Sequence, residues 1–183
     1  MNTPTEYQVI NRMRQGDGKA FTTVVENYQA AIQRFILRMT GDYHLTQDLA
    51  QDTFIRAYNG IIKTHSELSL KAWLYRIASN VVYAHYRRKR LILFVPFTEA
   101  MKDGPLDPGS LSQNNEESIV IGNALRKVSY DKRVCLVLHY VDGFKYREIA
   151  GILGISEDAV RKRVARGTDE FRILYKKEGG EKR

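Results

Sequence analysis

A segment near the carboxyl end of the chain, residues 146–160, has the pattern of a helix-turn-helix. Two helical stretches are separated by Gly154, which can adopt the left-handed backbone of a tight turn because it has no Cβ. Ala150 is small enough for the two helices to touch, and Val160 is an apolar residue that can be buried between them. Ser156 can cap the second helix, whose first turn carries two carboxylates that the helix dipole favours. The motif therefore restricts this part of the chain to a pair of helices, the second of which can enter a DNA major groove.

Basic residues follow on the second helix of this motif. They are Arg161, Lys162, Arg163 and Arg166. Guanidinium and ammonium groups hold phosphates and can reach the edges of bases in the groove. The helix-turn-helix therefore predicts that duplex DNA is a partner of this chain.

The charge of the chain is divided into blocks. The formal net charge is +8 and the isoelectric point about 9.6. Residues 1–90 contain 13 Lys and Arg against 7 Asp and Glu, and residues 119–183 contain 15 against 9. Residues 91–118 contain one Lys against five Asp and Glu. Two basic blocks joined by an acidic segment favour a polyanionic partner over a small acidic substrate.

The apolar residues of the other long segments recur at spacings of three and four, which is the helical period. Stripes of this kind run from Phe21 to Met39, ending at Gly41-Asp42, from Leu45 to Ile61, from Leu70 to Val82, from Ile119 to Val128 and from Val134 to Tyr140, before a stop at Asp142-Gly143. The periodicity is lost between about residues 95 and 118, where three of the four prolines occur. We therefore predict an all-α chain of two small helical domains, residues 1–92 and 119–178, joined by a flexible acidic linker, residues 93–118.

Several classes of protein lack support in the sequence. Cys135 is the only cysteine, which excludes an internal disulfide, and its apolar helical surroundings predict a core position. Long apolar spans and a signal-peptide pattern are absent, so we expect a cytoplasmic protein without membrane insertion. The four histidines show no metal-ligand spacing and no nucleophile partner. We expect no catalytic residues, no cofactor and no metal site.

The third helical stripe carries a polar face suited to nucleic acid. At 100° per residue, one face collects Arg76, Asn80, Tyr83, Arg87 and Arg90, while Trp73, Ile77 and Val81 define the buried face. The charges can hold phosphates, and the phenol and amide can stack on or hydrogen-bond to exposed bases. The alternative is an ordinary solvated face of a helix.

The second helical stripe carries an acidic face. Asp48, Gln51, Asp52 and Arg56 lie at helical spacing, with apolar leucines behind them. Carboxylates would repel phosphates, so a protein docking surface accounts for this face better than DNA does. A solvated polar face is the alternative, and a metal site with His44 would need ligands from elsewhere in the chain.

Three segments in this order resemble bacterial sigma factors of the extracytoplasmic-function group of the sigma-70 family. Residues 45–58 are similar to the helix of region 2 that docks on the clamp coiled coil of RNA polymerase. Residues 73–80 are similar to the promoter-melting helix that follows it, and residues 146–167 to region 4, which reads the minus-thirty-five element. The resemblance extends over about residues 17–176.

The resemblance implies a role for each group of residues. The polymerase-binding residues would be Asp48, Gln51, Asp52 and Arg56. The loop bordering the pocket for a flipped base would be Lys63, Thr64, His65 and Ser66, and the melted minus-ten strand would contact Arg76, Asn80 and Tyr83, with Arg87, Arg88 and Arg90 on its backbone. The upstream duplex would contact Ser156, Arg161, Lys162, Arg163 and Arg166.

The implied function is that of a specificity subunit and not of an enzyme. Such a chain binds the RNA polymerase core through its beta and beta-prime subunits, recognises both promoter elements, promotes melting and directs transcription initiation. Its partners would be the core, promoter duplex, the melted non-template strand and an anti-sigma factor. The acidic linker would suit the basic polymerase channel that nascent RNA later occupies.

Two other functions compete with this interpretation. A helix-turn-helix regulator that binds duplex DNA as a dimer accounts for residues 119–176 but assigns no task to the acidic face or to the Arg76, Asn80 and Tyr83 stripe. A nucleic-acid-processing enzyme would need clustered carboxylates or His and Cys ligands, which the sequence does not provide convincingly.

Overall fold

The computed structural model describes residues 6–61, 69–93 and 116–179, and the regular elements in these ranges are all helices. They are α1 (Glu6–Arg14), α2 (Gly18–Thr40), α3 (Tyr43–Ile61), α4 (Leu70–Leu93), α5 (Glu116–Lys127), α6 (Tyr130–Leu136), a π-helical turn (Val137–Val141), α7 (Tyr146–Leu153) and α8 (Glu157–Lys177). The prediction of an all-α chain is confirmed. Most of the predicted linker lies outside the described residues, and α5 begins three residues before the domain boundary expected at residue 119.

Helices α2, α3 and α4 pack against one another to form an amino-terminal bundle. Asp17 caps α2 by accepting hydrogen bonds from the backbone N–H groups of Lys19 and Ala20, at 3.0 and 3.3 Å. Gly41 ends the helix with a φ of +74°, and its N–H donates to the Leu37 carbonyl at 2.7 Å. The bundle core is built from side chains on all three helices, including Phe35, Ile36, Met39, Leu49, Phe54, Leu74, Val81 and Val82.

The short helix α1 is absent from the sequence-based prediction. It carries few apolar residues, but Met13 is buried against the bundle and Val9 and Ile10 pack on it. Glu6 also accepts a hydrogen bond from the backbone N–H of Leu70, which is one of the unpaired donors at the start of α4. Helix α1 therefore depends on tertiary contacts that no local pattern indicates.

Helices α5 to α8 form the carboxyl-terminal unit, in which α8 packs on α5, α6 and α7. The predicted helix-turn-helix is confirmed. Gly154 has a φ of +66°, and the Ser156 hydroxyl accepts a hydrogen bond from the Ala159 N–H at 3.2 Å. Val160 is fully buried. Gly167 allows α8 to approach α6 closely, because a Cβ there would lie 3.0 Å from the Cβ of Lys132.

The π-helical turn is a wider helical turn that lies just before the helix-turn-helix. The N–H of Asp142 donates to the carbonyl of Val137, five residues back, at 3.0 Å. Gly143, with a φ of +75°, then turns the chain, and Phe144 N–H donates to the Leu138 carbonyl at 2.9 Å. The stop predicted at Asp142-Gly143 is confirmed, whereas the π-helical geometry was not predicted from the sequence.

The two units also pack against each other. Helix α4 contacts α7, and α2 contacts α5 and α6, so one continuous group of buried apolar residues passes through both units. This packing leaves one side of α4 and one side of α8 exposed. None of the helices within the described ranges is long and apolar enough to cross a bilayer.

Replacement of Trp73 by Ala is expected to lower the free energy of unfolding by about 3–5 kcal/mol, because a buried aromatic side chain leaves a cavity. Denaturant titration followed by circular dichroism measures this change. The control is Tyr140→Ala at a residue that is 63% exposed, where a change within about 0.5 kcal/mol is expected. A loss at Trp73 no larger than that of the control would contradict its position in the core.

Candidate nucleic-acid and protein interfaces

Helix α4 presents the predicted polar stripe to solvent. Arg76, Asn80, Tyr83 and Arg87 are all exposed, and so is the neighbouring Arg88. The opposite side of the helix buries Trp73 and Val81 and partly buries Ile77, as predicted. Because α4 is held by α2 and α3, these polar groups project from a rigid support.

Five of the residues predicted to contact the minus-ten strand have side chains outside the described part of the chain. The loop Lys63, Thr64, His65 and Ser66 lies outside the described residues. Arg90 belongs to α4, but its side chain is likewise outside the described set. The assignment of these residues remains a prediction from resemblance.

The predicted acidic face of α3 lies beside an apolar groove. Asp48 and Gln51 are exposed, Asp52 is half-buried, and the Arg56 Nε lies 2.9 Å from Asp52 Oδ1. This hydrogen bond raises the pKa of the Arg56 guanidinium. Asp48 therefore remains available as an exposed carboxylate beside a neutralised pair.

The groove itself was not predicted from the sequence. It has a volume of about 540 Å³ and lies between α2 and α3, lined by Phe21, Val25, Gln29, Gln33, Gln47, Ala50, Gln51, Phe54, Ile55 and Tyr58. Ile55 and Tyr58 are about half exposed, and the rings of Phe21 and Tyr58 pack edge to face at 5.1 Å. The one sequence feature that could have indicated the groove is Ile55, an apolar residue that lies outside the buried stripe of α3. An apolar groove with a polar rim suits an amphipathic helix of a partner protein.

Helix α8 presents most of its predicted DNA contacts to solvent. Arg161, Lys162 and Arg166 are exposed on α8, and Ser156 is exposed at its amino-terminal end. Arg161 reaches back to Glu157, one turn earlier, at 3.4 Å, a weak exposed pair. These three cations and the helix amino-terminal end can meet phosphates and base edges of a duplex.

Arg163 differs from the other basic residues of α8. Its side chain is two-thirds buried and lies 3.6 Å from the Asp131 carboxylate on α6. Burial raises the pKa of the Cys135 thiol to about 11, and the nearby Arg163 guanidinium lowers it in part. Arg163 thus joins α8 to α6, a position that helical spacing alone did not indicate.

A polar junction connects the two units beside the α4 stripe. The hydroxyl of Tyr75 donates to Asp142 Oδ1 at 2.9 Å, and Lys71 Nζ donates to the Asp142 carbonyl at 3.2 Å. Lys71 Nζ also lies 4.5 Å above the Phe144 ring. On the other side, the Tyr130 hydroxyl donates to the carbonyl of Ser79 at 2.9 Å. None of these contacts was predicted, because they join residues 51 to 73 positions apart.

The electrostatics of the junction centre on Asp142. Burial raises the pKa of the Asp142 carboxyl, and the hydrogen bond from Tyr75 and the charges of Arg38, Lys71 and Arg34 oppose that effect. Burial also raises the pKa of the Tyr75 hydroxyl, so the phenol acts as a donor. Within the described residues, no three His, Cys, Asp or Glu side chains are grouped so that they could hold a metal ion.

Comparison with known proteins connects both units to one family. The model described as Sigma-70 region 2 matches residues 24–92, and that described as Sigma-70, region 4 matches residues 118–168. The chain is 30% identical over 174 residues to the ECF RNA polymerase sigma factor SigW of Bacillus subtilis, with 89% of this chain and 92% of SigW covered. It is 28% identical to the RNA polymerase sigma-H factor of Pseudomonas aeruginosa, with 90% of each covered.

Two solved structures resemble the whole described fold. One is the sigma factor RpoE in complex with the anti-sigma factor NepR from Bartonella quintana, with a TM-score of 0.68, 27% identity, and 86% of this chain and 98% of that chain covered. The other is CnrH in complex with the cytosolic domain of CnrY, also with a TM-score of 0.68, at 22% identity over 91% and 94% of the two chains. The second likeness concerns the fold alone.

Cys135 is expected to react with a disulfide reagent at pH 8 at least about 100-fold more slowly in the folded chain than in urea, since both burial and the raised pKa withhold the thiolate. Absorbance of the released thiolate measures the rate. A Ser118→Cys variant supplies an exposed thiol as control. Equal rates at the two cysteines would contradict the core position of Cys135.

Proposed function

The chain belongs to the sigma-70 family, in its extracytoplasmic-function group, and we propose how its two helical units share promoter recognition and transcription initiation with RNA polymerase. Residues 24–92 correspond to region 2 and residues 118–168 to region 4. The observation that carries the proposal is the presence of two separate exposed polar faces on rigid helices, one on α4 and one on α8. The polar face of α4 lies in the unit that matches region 2, and that of α8 lies in the unit that matches region 4.

Region 4 binds the upstream duplex in this proposal. Ser156, Arg161, Lys162 and Arg166 meet phosphates and base edges of the minus-thirty-five element, and Arg163 reaches the same duplex from its place against α6. Support comes from the exposure of the first four residues at the amino-terminal half of α8. Contacts of this kind are salt-sensitive, because phosphate binding releases counterions.

Region 2 binds the melted minus-ten strand. Arg76, Asn80 and Tyr83 meet bases of the non-template strand, with the cations Arg87, Arg88 and Arg90 along its backbone. Unstacking a base costs a few kcal/mol, and stacking on an aromatic side chain returns about 1–3 kcal/mol per base. The loop Lys63, Thr64, His65 and Ser66 borders the pocket that receives the flipped base. Capture of the single strand is then what makes melting favourable.

Polymerase core docks on the acidic face of α3 and the adjoining groove. Asp48, Gln51, Asp52 and Arg56 supply the polar contacts, and the half-exposed Ile55 and Tyr58 supply apolar surface. A partner helix with apolar anchors and a basic side chain would complement this combination. The groove supports a protein partner here more directly than the charge pattern alone.

The remaining parts of the proposal follow from this assignment. The chemistry of RNA synthesis belongs to the polymerase, and this chain acts as a non-catalytic specificity subunit that requires no cofactor. It works with the polymerase in the cytoplasm. The solved relatives include sigma factors in complex with anti-sigma factors, and an anti-sigma factor is proposed as a regulator of this chain.

Transcription with purified components tests the proposed function directly. Core polymerase with this chain should produce run-off transcripts from specific genomic fragments that core alone does not produce. The chain alone should not shift those fragments in a gel. Tight operator binding without polymerase would contradict the proposal and favour a self-sufficient regulator.

Replacement of Asn80 by Ala is expected to lower the extent of promoter opening about tenfold, because it removes a hydrogen-bonding side chain from the strand-binding face. Permanganate footprinting of unpaired thymines measures opening. Since Asn80 is exposed, the melting temperature should stay within about 2 °C of the wild type. The control is Asn27→Ala at an exposed position of α2. Normal opening by the Asn80 variant would refute its assignment.

Replacement of Asp48 by Arg is expected to weaken binding to polymerase core at least about tenfold, because it places a cation where a basic partner is proposed. Fluorescence anisotropy of the labelled chain, titrated with core, measures the dissociation constant. Asp169→Arg makes the same charge change at an exposed position of α8 and should leave the constant nearly unchanged. Equal effects of the two substitutions would remove the support for docking on α3.

A further inference from the structure

Arg163 lies at the edge of the exposed side of α8. At about 100° per residue, it is about 60° around the helix from the buried Val160 and about 60° from the exposed Arg166. Its side chain is 33% exposed, whereas that of Arg161 is 64% exposed. Arg163 therefore faces α6 on one side and the surface that carries the other cations on the other.

Contacts with α6 hold the charged end of Arg163. Its Nη2 lies 3.6 Å from Asp131 Oδ2, and its charge also acts on the buried thiol of Cys135 in the same helix. The two helices approach closely at this point, because a Cβ on Gly167, one turn after Arg163, would lie 3.0 Å from the Cβ of Lys132. A cation of the recognition helix is thus held by residues of a different helix.

We propose that Asp131 is a positioning residue for promoter binding, which holds the Arg163 guanidinium where that group meets a phosphate of the minus-thirty-five duplex. The inference rests on the proposed function, which takes region 4 to the upstream duplex and counts Arg163 among its cations. It adds a carboxylate outside the recognition helix to the residues on which DNA binding depends. Asp131 acts through Arg163 and does not contact DNA.

The place of Asp131 relative to α8 is fixed by a second set of contacts between the two helices. Glu170 Oε1 accepts a hydrogen bond from the backbone N–H of Ser129 at 3.1 Å, and Glu170 Oε2 lies 2.6 Å from Lys132 Nζ. Glu170 thus satisfies an unpaired donor at the beginning of α6 and pairs with its first turn. Because Ser129 and Lys132 stand on either side of Asp131 in the sequence, α8 and the Asp131 carboxylate are held in register.

The chemistry of a guanidinium allows one group to serve both partners. It carries five N–H donors in a planar fork, so a carboxylate and a phosphate can bind different nitrogens. A long side chain that is already held in place also loses less rotamer freedom when DNA binds. The contact with Asp131 therefore prepares Arg163 for a phosphate.

The edge position predicts a backbone contact and not a base contact. When a recognition helix lies in the major groove, the residues at the centre of its exposed side face the base edges, and those at its margin face the flanking backbone. Arg161 and Lys162 are exposed, whereas Arg163 lies at the margin. A phosphate contact carries no sequence information, so its loss should weaken all minus-thirty-five sequences equally.

An ordinary structural ion pair is the alternative role for Asp131. The two charged atoms are 3.6 Å apart and the Asp131 side chain is 57% exposed, so the pair contributes little to folding. As a free charge, a carboxylate at the margin of a DNA-binding face repels phosphates. The two roles therefore predict opposite signs for the effect of removing Asp131 on DNA binding.

The substitution Asp131→Ala tests the sign in the complete complex of polymerase core with this chain. We expect binding to a promoter fragment to weaken about three- to fivefold at about 100 mM salt, although a negative charge has been removed. The fragment is one that gives a run-off transcript with the wild type, labelled for fluorescence anisotropy. Titrations are made at a temperature at which permanganate detects no unpaired thymines, so that only the duplex is bound.

The substitution Arg163→Ala identifies the group through which Asp131 acts. It should weaken binding about tenfold and reduce the slope of log affinity against log salt by about 0.9, the value for one phosphate contact. In the Arg163→Ala background, Asp131→Ala should cause no further weakening, because the group that it positions is absent. Asp131→Glu, which keeps the carboxylate, should restore at least about half of the lost affinity in a chain that retains Arg163.

Two controls separate positioning from charge and from folding. Asp169→Ala removes the same charge from an exposed position of α8 and should leave the affinity unchanged or slightly higher. The melting temperature of Asp131→Ala should stay within about 4 °C of the wild type, since an exposed pair contributes little.

The outcomes distinguish the positioning role from the proposed function. Tighter binding by Asp131→Ala would overturn the role, and so would equal weakening by Asp131→Ala with and without Arg163. An unchanged salt slope in Arg163→Ala would also overturn it, because there would be no phosphate contact to position. Each of these results leaves the proposed function standing. Failure of the wild type to give a specific transcript with core would overturn the proposed function, and the positioning role with it.

Discussion

Helix α4 is packed on two of its sides, and the positions of both candidate DNA surfaces depend on that packing. One side buries Trp73 and Val81 in the amino-terminal bundle, and a second side, through Tyr75 and Ser79, meets the carboxyl-terminal unit. Only the remaining side is free to collect polar residues. The proposed capture of unstacked bases would be favoured by a rigid helix there, because its polar groups would not have to be ordered first.

Helix α8 of the carboxyl-terminal unit is also buried on one side and exposed on the other. Helix α8 buries Val160 and Val164 and uses Gly167 to lie close to α6, which leaves the other side for cations. Arg163 lies between the buried side and the exposed side of α8. It is paired with Asp131 on α6, whereas the neighbouring cations of α8 are exposed. Each candidate DNA-binding helix is thus part of the hydrophobic core, and the side that is not buried forms its exposed polar face.

The groove between α2 and α3 adds a third surface with different chemistry. Its apolar lining beside Asp48 and Asp52 distinguishes this proposed protein-docking face from the cationic faces of α4 and α8. The carboxylates at the rim of the groove would repel the phosphates of DNA and attract a basic partner helix. DNA would therefore compete little with a protein partner for this surface. Under the proposed function, polymerase and DNA would bind separate surfaces of one small chain.

Sequence patterns were sufficient to predict the helices other than α1, the caps at Ser156 and Gly154, and the exposed stripe on α4. Periodicity and turn chemistry depend on neighbouring residues along the chain. Helix α1, the π-helical turn, the groove and the inward position of Arg163 were decided by tertiary structure. Each depends on atoms that approach from distant parts of the sequence, as when Tyr75 meets Asp142. Sequence determined which faces could bind, and packing decided which of them are covered.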